Sequence, residues 1–449
     1  MQGLPIYPKI TNCPECGQDI ATYLTKLVDL SALQKAKHHT YPLVVQVMAL
    51  NLLSNLGASY EVARKVFVCL REYLPNLERV PSIGSLHAWN MKRNKVLLST
   101  EATGILDGNY ALITDISMSV GKRRLLIFVA LCLDEWTFNR PLCISDVRVV
   151  GVFVEPTFSG EDVAQCISKV RQQHPEMNVE YLVSDGGGEL TKGARLCGLP
   201  RVSDCHHFFA KELKKEYENR EDYKAFMTAV IDFNRKNNMN DNAALLPPRL
   251  GHHSRFMNVG LLARWATRFL NWPEAVKEQP ELAGFIIATK WLEEHRAIIE
   301  ELVEVTQVGY SMLKVLKHKG LSEATQANCL EMINDSPVAK AIKTRYRSYF
   351  EQQTFTDLGQ LSLAQRGSPL ICSSDVIESY FGVLKHRTGK RLNGRCLDVI
   401  HYANTSITFA KVREVMEKST IAEATIWHRK TLQCKVDLDK CRLKSIFKT

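Results

Sequence analysis

Apolar residues recur along this chain with two periods, and the changes of period mark its organisation. From Tyr41 to about Leu98 they return every three or four positions, the spacing of helices buried on one side. LVVQVMALNLLSNL predicts a first helix stopped at Gly57, Ser59 is placed to cap a second (YEVARKVFVCLREYL), and Pro81, Ser82 and Ser85 precede a third (LHAWNMKRNKVLL). Between Asn109 and about His207 the period becomes that of strands. YALITDIS, RRLLIFVALCL and DVRVVGVFV are three successive β-like runs, separated by a Gly-Lys-Arg turn and a loop through Pro141. A helix from Glu161 to Gln173, capped by Ser159, then leads to the strand VEYLVSD, a Gly-rich loop with a short helix (GGGELTKGARLCG) and the short strand RVSDC. Three strands followed by strands alternating with helices predict a mixed sheet covered by helices on both faces.

From about Phe208 to Gly367 the pattern is almost wholly helical and charged, with Trp265, Trp272 and Trp291 inside it. A helix from Asp375 to about Arg387 returns to the mixed-sheet pattern, and a further helical segment and a basic tail follow. The expected fold class is therefore α/β, a mixed sheet interrupted by an all-α insertion and preceded by a helical domain. The expected boundaries are an N-terminal segment over 1–40, the helical domain over 41–104, the first part of the sheet core over 105–207, the insertion over 208–370, the last part of the core over 371–415 and a basic tail over 416–449.

Charge narrows the partners. The 449 residues carry a formal charge of +10 with a pI near 8.9, and excess lysine and arginine favours a polyanion through counterion release. Nucleic acid is the expected partner. The apolar run Leu125 to Leu133 is too short to cross a bilayer, so no membrane association is expected. The N-terminus lacks the basic start, apolar stretch and small-residue cleavage site of a secretory signal. The 13 cysteines are scattered singly, the pattern of reduced thiols, and the expected location is cytoplasmic. Cys13 and Cys16 alone are closely paired and have the spacing of half a zinc knuckle; with no second half evident, a plain turn with free thiols and a zinc site both stay open.

Three acids carry the candidate chemistry. Asp115 ends an apolar strand, where a carboxylate is costly unless it binds a cation or finds partners. Asp185 opens a Gly-Gly-Gly turn, and glycines allow both a tight backbone and a close ligand. Glu378 lies on the late helix SSDVIESYFGVLKHR, where Ile377, Phe381 and Leu384 form a packing face and Asp375, Glu378, Gly382 and Lys385 an adjoining stripe. That stripe offers an acid for metal, a residue without a side chain where DNA backbone could approach, and a cation for phosphate. Asp375, one turn before Glu378, is the rival third acid. The third N-terminal helix is basic, and in a helix-turn-helix reading His87, Asn90, Lys92 and Arg93 face the major groove. The connection before it, PNLERVPSIGS, is longer than the usual tight turn, so a helical packing domain with a solvated basic face stays open too.

Strand order and acid placement together resemble an RNase H-like core, with one acid on the first strand, one after the fourth and one on a late helix. Over roughly residues 105–410 the chain resembles the DDE transposases with a large helical insertion, such as the Mutator-like and hAT groups. The spacing Glu378-x6-Lys385 resembles their Glu-x6-Lys/Arg arrangement, and Asp204-Cys205-His206-His207 their C/D-x-x-H motif. The resemblance implies that Asp115, Asp185 and Glu378 hold two Mg²⁺ or Mn²⁺ ions that serve DNA-end cleavage and joining of the 3′-hydroxyl to target DNA. It implies that Asp204 and His207 are accessory residues, that Lys385 holds a phosphate, that the partners are terminal repeats and target DNA, and that the protein is a homo-oligomer of prokaryotic, nucleoid-associated location. Two rivals follow from the same residues: a catalytically silent DNA-binding descendant, and an RNase H-like nuclease without strand transfer. Glu189 is a further nearby acid, and the insertion's tryptophans are either core residues or platforms for an unpaired base.

Overall fold

The computed structural model describes residues 35–36, 39–54, 56–71, 79–98, 107–120, 123–248, 250, 256–272, 279–355, 368–388 and 408–432, and the account below concerns these. Cys13 and Cys16 lie outside them. Helices α1 (Leu43–Ser54), α2 (Tyr60–Leu70) and α3 (Ile83–Leu97) open the chain. The stop after α1 is at Gly57, whose φ of 64° is the left-handed conformation that glycine adopts without strain. Ala58 N–H donates to Leu52 O at 2.8 Å there, closing the helix end. Ser59 caps α2 through Val62 N–H, and Ser82 caps α3 through Ser85 N–H.

The five expected strands form one mixed sheet: β1 (Gly108–Val120), β2 (Arg123–Cys132), β3 (Arg148–Glu155), β4 (Met177–Ser184) and β5 (Arg201–Ser203). Their spatial order is β3-β2-β1-β4-β5. β2 is antiparallel to both β1 and β3, while β1, β4 and β5 run parallel. This puts β1 at the centre, which is why Ala111, Leu112 and Ile113 are all fully buried. Successive residues alternate between two cores. Tyr110 and Leu112 pack on α4 (Gly160–Gln173) and α5 (Gly188–Leu196), whereas Ala111 and Ile113 join the larger core shared with the rest of the helices. Asp115 continues that second series, so strand pleat alone aims its carboxylate towards the helical body.

Cys205–Tyr217 (α6) follows β5 directly. The helical block then comprises α7 (Glu221–Asn237), α8 (Val259–Leu270), α9 (Ala283–Thr289), α10 (Arg296–Lys319), α11 (Glu323–Asp335) and α12 (Lys340–Phe355). Its tryptophans are packing residues. Trp265 contacts Phe233, Phe269 and Trp291, and the indole N–H groups of Trp265 and Trp272 donate to Leu245 O and Thr289 Oγ1, both at 3.0 Å. The readings of these rings as core residues and as base-stacking platforms part here in favour of core.

The chain returns to the sheet through α13 (Asp375–Thr388). Two last helices, α14 (Phe409–Lys418) and α15 (Ile421–Leu432), pack against the N-terminal ones: Val412 and Met416 share a core with Leu43, Leu50 and Trp89, and Ala88, Met91 and Ala424 form another. The stretch expected as a basic tail from 416 thus begins with a structural helix. Among the described residues no helix is long and apolar enough to cross a membrane.

Candidate functional site

Asp115 pairs across the sheet with Ile127, and its carboxylate accepts the Ile116 N–H at 2.6 Å. Asp185 follows β4, which lies parallel to β1 with Thr114 opposite Ser184, so the two acids are neighbours across this pair; β4 ends there, whereas β1 runs on to Val120 and Asp115 lies within it instead of ending it as expected. Asp185 Oδ1 accepts the Gly187 N–H at 3.0 Å, and a Cβ at Gly187 would stand only 3.0 Å from that oxygen. The glycine lets the loop fold back on its own acid. Glu378 approaches from α13, where its carboxylate lies 3.0 Å from His207 Nε2 on α6.

The approach of α13 is fixed by Asp204. This residue is 1% exposed and caps α6 by accepting the His207 N–H at 2.7 Å. Its other oxygen accepts Ser374 Oγ–H at 2.9 Å and the Ser374 N–H. Asp204 therefore joins the start of α6 to the residue before α13, and the same joint is reinforced by Cys205 N–H donating to Cys372 O at 2.9 Å. A buried carboxylate filled with such donors is a structural clamp. Of the Asp204–His207 pair, Asp204 holds the frame and His207 faces the acids.

The electrostatics show how under-compensated Asp115 is. The pKa of Asp115 is pushed up to about 7, first by burial and then by the charge of Asp185, with a smaller push from Glu378. Burial works against the charge on His207, but its hydrogen bond to Glu378 and the charges of Asp204 and Asp115 outweigh that and raise it to about 9. One imidazolium thus stands among three acids.

Asp375, three residues before Glu378, has the opposite environment. Burial would raise its pKa, yet His206 and Lys317 hold its carboxyl well below the usual carboxylate range. Lys317 on α10 pairs with it directly, and His206 Nδ1 stands 3.7 Å away, an ion-pair rather than a hydrogen-bond distance. Glu189 is bound to Arg124 at 3.6 Å. Neither Lys317 nor Ser374 carried any signal in the sequence, since each acts through a neighbour brought up from a distant segment.

The three acids are carboxylates, hard oxygen donors of the kind that suits Mg²⁺ or Mn²⁺, and the surplus negative charge felt by Asp115 is what a divalent cation would relieve. Their donor chemistry fits such ions. Among the described residues no three His, Cys, Asp or Glu side chains stand close enough together to hold a metal ion in these positions. Lys385 lies on α13, and its side chain is outside the described residues. Gly382 has open space around it, as expected for a point of close approach.

The groove-facing role expected for α3 is corrected. Asn90, Lys92 and Arg93 are 3%, 3% and 4% exposed, and each is used inside the protein. Asn90 donates to Tyr60 Oη at 2.8 Å, Lys92 Nζ to Met416 O at 2.8 Å, and Arg93 to Ser54 Oγ. His87 packs edge-on against the rings of Tyr60 and His428. The polar residues of this helix face inward because α1 and α2 take Arg93 and Asn90 while α14, more than 300 residues later in the chain, takes Lys92. No protein-family model matches this chain, and no characterised protein shows significant sequence similarity to it.

Proposed function

We propose that this protein is a metal-dependent DNA-cutting and DNA-joining enzyme of the DDE transposase type, built on an RNase H-like core. The observation that carries the reading is the convergence of Asp115, Asp185 and Glu378, from a central strand, the loop after its parallel neighbour and a late helix, on a patch where Asp115 is driven up to about 7 by burial and by the other two charges. Strand order β3-β2-β1-β4-β5 with an antiparallel β2 supports the fold assignment, and the net charge of +10 supports a polyanionic substrate.

Asp115, Asp185 and Glu378 would hold Mg²⁺ or Mn²⁺, which when bound supplies Lewis-acid polarisation of the phosphodiester and activates the attacking water or 3′-hydroxyl. The protein's own contributions are separate. Asp204 keeps α13 registered on α6, so that Glu378 is presented to the two strand-borne acids. The Gly187 turn closes the loop onto Asp185, and Gly188 beside it has open space where a substrate backbone could approach. His207, as imidazolium, neutralises Glu378 through its Nε2 and so limits the charge repulsion among the acids.

The test is direct. Asp115→Ala, Asp185→Ala and Glu378→Ala proteins, each checked for folding, are expected to lose Mg²⁺-dependent nicking of DNA and transfer of pre-cleaved 3′ ends while still binding DNA. Cleavage that survives all three changes overturns the proposal, and nicking without end transfer reduces it to a nuclease.

A further inference from the structure

Next to the acids lies a cleft of about 420 Å³ lined in part by Asp185, Gly186 and Gly187. One wall is α6 with the residue that ends it: His207, Lys211 and Lys214 on the helix and Glu218 at its C-cap line the cleft. These positions follow the i, i+4, i+7, i+11 spacing of a single helix face. The facing wall includes Met257. Lys211 is exposed and forms no ion pair among the described residues, and its Nζ lies 3.7 Å from where a Cβ at Gly186 would stand. Lys214 is exposed and only loosely held, 3.5 Å from Glu218.

We propose that this cleft is a phosphate track for the DNA strand leading away from the scissile bond, with Lys211 and Lys214 binding successive stretches of its backbone. The inference rests on the cleavage reading for its substrate and extends it to a binding surface. At a rise of 1.5 Å per residue, Lys211 and Lys214 stand about 6 Å and about 10 Å along the helix from His207. A strand advancing about 3.4 Å per nucleotide therefore meets them about two and three nucleotides from the acids. A lysine ammonium is a point charge that reads phosphate and not base, so the track is blind to sequence. Glu218 ends it, because a carboxylate repels a fourth phosphate and competes for Lys214.

Binding of the full-length protein to fluorescent single-stranded and duplex DNA of two unrelated sequences, without divalent cation and over a range of NaCl, reads the track separately from cleavage. The Lys211→Ala/Lys214→Ala protein is expected to lower the slope of log K against log salt by about 1.4 for a single strand or about 1.8 for a duplex, equally for both sequences. Glu218→Gln is expected to tighten binding. An unchanged slope in the double variant of a wild-type enzyme that nicks DNA overturns the track and leaves the cleavage reading standing. A lowered slope in a protein that never nicks upholds the track and sinks the cleavage reading. A wild-type protein with no salt-dependent DNA binding overturns the track outright.

Discussion

Two ionic clusters flank the start of α13, and they share its sequence neighbours: Asp375 and Glu378 are one turn apart, as His206 and His207 are adjacent on α6. On the Asp375 side a lysine and a histidine serve a single carboxylate, and its pKa falls. On the Glu378 side one histidine serves three acids, and Asp115, on the central strand, is driven up to about 7. The first cluster is closed within the protein, while the second carries an excess of negative charge that the protein leaves for something else to neutralise. Charge balance, more than mere presence of an acid, separates Asp375, which braces the helix, from Glu378, the candidate for meeting a ligand.

The sharpest way to break this comparison is to swap the two acids' chemistry. Glu378→Gln is expected to abolish metal-dependent cleavage, whereas Asp375→Asn leaves cleavage within a fewfold of wild type in the same nicking assay; the reverse outcome would make Asp375 the third acid. The next largest effect belongs to the clamp between the clusters. Asp204→Ala leaves the Ser374 and His207 N–H groups unpaired, and denaturant unfolding is expected to show a loss of about 3 kcal/mol.

Two smaller effects have opposite dependence on pH. Because the pKa of Asp115 in the fold lies above its ordinary value of about 3.9, protonation favours the fold: that stability is complete below about pH 4 and is lost as pH rises through about 7. Asp115→Asn is expected to remove this loss and raise stability at pH 8 by about 1–2 kcal/mol, after discounting for partial solvent contact. Asp375 has a lowered pKa, so its contribution is present above about pH 4 and is lost as pH falls further. Asp375→Asn is expected to cost about 1 kcal/mol at neutral pH and nothing in strong acid, since the pair with Lys317 is partly exposed. Urea midpoints measured across pH for both proteins check the two signs.

The strands and helix starts were legible because each is a local pattern. All five strand runs and the caps at Ser59 and Ser159 stand where alternation and capping chemistry put them. The inward face of α3 was not legible, because it is set on one side by α1 and α2 and on the other by the distant α14 and α15, and not by its own periodicity; a helix carrying Lys92 and Arg93 reads as solvated until its cover is known. Burial lowers the pKa of Lys92 against the pull of Glu423. Within the site, Asp115, Asp185 and Glu378 could be picked out by position along the chain, but the division of labour between Asp204 and His207 depends on Ser374 and on which imidazole faces which acid. Spacing contains neither.

The bond from Asp204 to Ser374 joins residues 170 positions apart, with the helical block between them. A growing polypeptide thus exposes Asp115 and Asp185 long before Glu378 exists, and synthesis must pass the whole insertion before α13 can be fastened down. The helical block thus separates the two strand-borne acids from Glu378 in time as well as in sequence: a chain that ends anywhere within it carries the residues of all five strands with Asp115 and Asp185, and lacks Glu378.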